Sequence, residues 1–107
     1  MSVPWYTHVK AEIAGRASKG AAPVDLTLEI YDNGVLAGSA HESEATLGRE
    51  YFASLELGGV NGNAAGANLG EHTLQGKLKL INPEGSVEYD TDPVTIGIGQ
   101  VPVGEVT

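Results

Sequence analysis

Apolar residues recur at every second position along most of this 107-residue chain, and that period restricts its fold more than any other feature. Side chains of an extended strand point alternately to opposite faces, so each such segment has one apolar face and one wet face. In "HVKAEIAGR", Val9, Ala11 and Ile13 alternate with Lys10 and Glu12. In "PVDLTLEIYDNG", Val24, Leu26, Leu28 and Ile30 oppose Asp25, Thr27 and Glu29. "REYFASLEL" puts Tyr51, Ala53, Leu55 and Leu57 on one face, and "HTLQGKLKL" does the same with Leu74, Gly76, Leu78 and Leu80. The last run, "SVEYDTDPVTIGIG", carries Val87 and Tyr89, then Val94, Ile96 and Ile98. Pro93 has no amide proton, which predicts an interrupted or bulged strand at a sheet edge.

Turn signals separate these runs. Asn33-Gly34 favours the positive backbone angles of a tight hairpin, returning "VLAGSA" as a short strand. Asn82-Pro83-Glu84-Gly85 reverses the chain again. Helix signals are confined to "HESEATLGREYFA", where Gly48 and a β-rich end allow no more than a turn. Short alternating strands joined by Gly, Asn and Pro turns predict an all-β, antiparallel β-sandwich of about seven strands. The length suits one domain over residues 1–107, with an N-terminal arm at 1–7 and a C-terminal tail at 100–107. Its expected core is Val9, Ile13, Leu26, Leu28, Ile30, Leu55, Leu74, Leu78, Leu80, Val94 and Ile96. Residues 58–70, "GGVNGNAAGANLG", read as a long loop of small residues.

Fourteen acids against six bases give a formal charge of −8. Such a surface repels phosphate backbones and anionic lipids, which argues against nucleic acid and membrane as partners. The absence of cysteine rules out disulfides and thiolate metal sites. No apolar run reaches the roughly 18 residues of a spanning helix. "MSVPWYTHVK" lacks the basic-then-apolar order of a signal peptide, so the chain is expected either to stay where it is made or to be a piece of a processed protein.

Catalytic templates fail in turn. Ser39, in "AGSAH", lacks the second glycine of a nucleophile elbow. His8, His41 and His72 have no metal-ligand spacing. "GGVNGNAAG" lacks the lysine and hydroxyl of a phosphate loop. No enzyme activity and no cofactor are therefore expected. Asp90 and Asp92, flanking Thr91, are a weak calcium candidate against the alternative of a solvated, aggregation-blocking edge. Trp5 and Tyr6 precede the first sure strand; either one packs over the end of the sandwich or the pair anchors the protein on a partner.

"LEIYDNGVLAGSA", "YFASLEL" and "LGEHTLQGKLKLINPEGSVEYDTDPVTIGI" together resemble the bacterial immunoglobulin-like domains, in order over residues 8–99. Two features depart from that pattern: the first strand is missing or reduced to "SVPWY", and the loop before Gly70 carries an insertion. The resemblance implies an immunoglobulin-like sandwich, with His72 packing or hydrogen-bonding at the start of a strand. It also implies a structural role in a bacteriophage virion, as capsid decoration or tail protein, assembled in the host cytoplasm. Other virion proteins would be the partners, with a homo-oligomer possible in principle. The alternative is an accessory spacer or carbohydrate-binding module of a secreted or cell-surface bacterial enzyme or adhesin.

Overall fold

The structure, a computed structural model, describes residues 2–4, 7–58 and 69–99. Within them eight strands follow one another: β1 (Ser2–Pro4), β2 (Val9–Gly15), β3 (Asp25–Asp32), β4 (Val35–Glu42), β5 (Tyr51–Leu57), β6 (Gly70–Asn82), β7 (Gly85–Asp90) and β8 (Val94–Gly99). No helix occurs among the described residues. The turn expected around 43–50 is two short reversals, with β4 running on to Glu42 and β5 starting at Tyr51.

The strands divide unequally between two sheets. Six form one sheet in the order β1-β8-β6-β3-β4, with β7 also paired to β6; the second sheet is β2 and β5 alone. All pairings are antiparallel except β1 with β8, which is parallel. The chain changes sheet between β1 and β2, β2 and β3, β4 and β5, and β5 and β6, so most sequence neighbours do not pair.

The turns follow their local chemistry. Asn33 and Gly34 both have positive φ, 52° and 83°, matching the twist that a two-residue hairpin needs. Asn33 also locks the hairpin to β6, donating through Nδ2 to the Glu71 carbonyl and accepting through Oδ1 from the Thr73 amide. At the far end Asn82 opposes Gly85 across Pro83-Glu84. The break foreseen at Pro93 separates β7 from β8 over residues 91–93, and both segments run along the same edge of β6. Thr91 fastens the break: its amide donates to the Gly76 carbonyl and its Oγ1 accepts from the Gly76 amide.

The core sits between the sheets in two clusters. Leu26, Leu28, Ile30 and Ala53 form one, flanked by Ile13, Leu55, Leu78 and Leu80; Leu57, Ile96 and Ile98 form the other, flanked by Val3, Val9 and Leu74. One expected core residue is not there. Val94 is 62% exposed although it shares the parity of buried Ile96 and Ile98. Alternation assigns a face, but only a strand in the opposite sheet buries it, and none of the described strands lies over Val94.

Candidate functional site

Among the described residues one sheet is five strands across and the other only two, so no described strand covers part of the apolar face. The position of β2 defines where. A side chain at Gly15 would meet Leu28 of β3 and Leu78 of β6, and Ile13 lies against Gly76 of β6. Gly38 of β4 approaches Ser54 of β5 in the same way. So β5 covers β4 and β3, β2 covers β3 and β6, and among the described residues no strand lies over the floor further out. There Val87 is 47%, Tyr89 59% and Val94 62% exposed. One concavity lies between Ala11–Ala14 and Leu74, Gly76 and Val94, and a second lies between Arg16–Gly20 and Leu80, Val87 and Tyr89. Among the described residues β2 has β5 as its sole ladder partner, so one edge of β2 carries unpaired backbone groups along this trough.

The outer face of the large sheet is polar and crosslinked. Lys79 Nζ lies 3.0 Å from Glu29 Oε1, and Tyr31 donates to the same oxygen at 3.0 Å. Lys77 lies 3.8 Å from Glu88, 4.0 Å from Asp90 and 5.8 Å from the Tyr31 ring centroid. The Lys79 ammonium holds the Glu29 carboxyl below its ordinary range against an opposing effect of burial, and Glu29 in turn raises Lys79. The signs fix the pH window. The lowered acid stabilises the fold above its unfolded titration and loses that contribution as pH falls through its folded value; the raised lysine contributes until pH rises through its own folded value. The pair therefore supports the fold between roughly pH 5 and pH 10. With Lys79→Met, the loss of melting temperature between neutral and acid solution should be smaller than in the parent. An unchanged acid limb would show that this pair does not link folding to protons.

Each histidine faces a carboxylate: His8 and Glu56 at 3.5 Å, His41 and Asp25 at 2.7 Å, His72 and Asp32 at 2.6 Å. The first two are solvated. The third is enclosed, with His72 8% exposed and Asp32 Oδ1 buried without a hydrogen bond. It joins β6 to the end of β3, which agrees with the packing role expected for His72.

The residues singled out from the sequence do not converge. Asp90 points to Lys77, and Thr91 Oγ1 donates to the Asp92 carbonyl. Among the described residues no group of three His, Cys, Asp or Glu side chains is placed to hold a metal. Trp5, Tyr6, residues 59–68 and the tail 100–107 lie outside the described residues. The open trough was missed from the sequence. Val87, Tyr89 and Val94 alternate in the same way as buried residues, and the only hint of exposure was the shortage of strands able to face them. No family model, curated protein or solved structure matches this chain.

Proposed function

We propose that this chain is a non-enzymatic structural and binding domain of immunoglobulin-like fold, carried on a bacteriophage virion as a capsid decoration or tail protein. The observation that carries the binding role is the apolar floor that, among the described residues, lies uncovered beside an edge of β2 with no ladder partner. An exposed edge next to apolar surface is the usual receptor for an added strand, in which main-chain hydrogen bonds give affinity and the pockets give specificity. The immunoglobulin-like reading is supported by the first strand running parallel to the last, and by β2-β5 facing β8-β6-β3-β4. The virion setting rests on the resemblance over residues 8–99, with other virion proteins as partners and Trp5 and Tyr6 as aromatic anchors in the arm.

Gradient-purified particles should contain the protein in fixed ratio to the major capsid or tail subunit. Its absence from them would sink the virion reading. Deletion of residues 1–6 also removes β1, so the paired substitution Trp5→Ala with Tyr6→Ala is the cleaner test of the arm. A folded variant left out of particles supports anchoring, and normal incorporation refutes it.

A further inference from the structure

The β3–β4 hairpin carries a reactive pair of residues. Asparagine followed by glycine readily loses its side-chain amide, because glycine places no Cβ beside the attacking main-chain nitrogen. The chain has two such pairs, Asn33-Gly34 and Asn61-Gly62, and the second lies outside the described residues. Asn82, the other described asparagine, precedes Pro83, whose nitrogen has no proton to give up.

The first pair sits at an open place. Val35, next along the hairpin, is 69% exposed, and among the described residues a Cβ built on Gly34 would meet nothing within 4 Å. Water and hydroxide can therefore reach the Gly34 amide. The Asn33 side chain is held elsewhere. Its Nδ2 donates to the Glu71 carbonyl at 3.0 Å, and its Oδ1 accepts from the Thr73 amide at 2.9 Å. The Asn33 amide also donates to the Thr73 carbonyl at 3.0 Å, which ties the turn itself to β6. Attack on the side chain makes its planar Cγ tetrahedral and expels Nδ2. An amide pinned at both ends by β6 resists both changes.

We propose that Asn33 is a site of spontaneous deamidation, closed while the hairpin is docked on β6 and open when the hairpin lifts away. In the lifted hairpin the Gly34 nitrogen gives its proton to hydroxide and bonds to Asn33 Cγ. The Cγ–Nδ2 bond breaks, and Nδ2 takes a proton from water and leaves as ammonia. Water then opens the five-membered imide. Cleavage at Cγ leaves aspartate at position 33; cleavage at the main-chain carbonyl leaves isoaspartate, with the chain routed through Cγ. Water is the only co-reactant, and nothing is oxidised or reduced.

Either product makes the opening permanent. Both lose the donor to the Glu71 carbonyl, which is the bond that held Nδ2. In the aspartate product a carboxylate oxygen faces that carbonyl instead, acceptor against acceptor. The new charge also falls next to Asp32, in a chain whose formal charge is already −8. Isoaspartate lengthens the main chain of a two-residue turn, and the turn's length sets the register of the hairpin.

The test is peptide mapping by mass spectrometry of the full chain, held at mildly alkaline pH in native buffer and in guanidinium chloride. In denaturant, position 33 should convert at a rate similar to that of Asn61-Gly62, the unrestrained reference. In native buffer it should convert at least about tenfold more slowly than in denaturant, since two hydrogen bonds must open first. His72→Ala removes the enclosed link between β6 and the end of β3. It should raise the native rate at position 33 severalfold and leave the rate in denaturant unchanged. Converted chains, and the variant Asn33→Asp, should melt below the parent. A native rate equal to that in denaturant overturns the proposal, because the lock then gates nothing. So does a position 33 that stays intact in denaturant while Asn61 converts, or a folded His72→Ala with an unchanged native rate. Converted chains that melt like the parent overturn it as well. Should His72→Ala fail to fold, the two parent rates and the Asn33→Asp melt decide alone.

Discussion

Replacing Leu28 by Ala should destabilise the fold by about 3–5 kcal/mol, measured by chemical denaturation. Leu28 is fully buried on β3, which is paired on both sides: Ala40 of β4 is its partner on one flank and Leu78 of β6 on the other. Backbone pairing on both flanks prevents the strand from shifting to fill the space, so the lost contacts become a cavity. Against a total stability of about 5–15 kcal/mol for an ordinary domain, that loss is a large fraction. Val94→Ala is the matched control. It also removes methyl groups from the inward parity, but from a residue 62% exposed, and should cost less than about 1 kcal/mol. Equal costs would mean that Val94 is covered, and the open trough would be lost as a binding surface.

Removing the imidazole of His72 should cost about 3 kcal/mol, the second large effect. Asp32 has one oxygen bonded to His72 Nδ1 at 2.6 Å and the other buried without a partner. With His72→Ala the carboxylate keeps its desolvation and loses its main compensation, which costs more than the pair itself contributes. Replacing both residues by leucine should therefore be milder than His72→Ala alone. A double variant worse than the single would refute the uncompensated charge as the cause and assign the effect to lost packing. Thermal melts at one fixed pH, with all variants in the same buffer, separate these outcomes.

Much of the fold was legible because it is local. Alternation depends on bonded geometry, so the faces of Leu26, Leu28 and Ile30, the hairpin at Asn33-Gly34 and the break at Pro93 could be read from neighbouring residues. His72 could be read as a packed residue at the start of a strand. Its partner could not, since Asp32 is 40 positions away in sequence and reaches it only through the register of β3 on β6. The Glu29–Lys79 pair was hidden for the same reason: the sequence shows wet positions on two strands, and only their pairing brings opposite charges together.

The sequence by itself determined the period, the turns, the acidic surface and the absence of thiol chemistry, because each depends on residue type or on contacts within a few positions. How the strands were shared between sheets was a tertiary decision. Burial requires an opposing layer, and the described residues place six strands in one sheet and two in the other. That imbalance separates Val94 from Ile96, residues of the same parity on one strand, leaving the first open to solvent and the second in the core. Among the described residues the same imbalance leaves one edge of β2 without a ladder partner, and no local pattern in "VKAEIAG" distinguishes such an edge from a filled one.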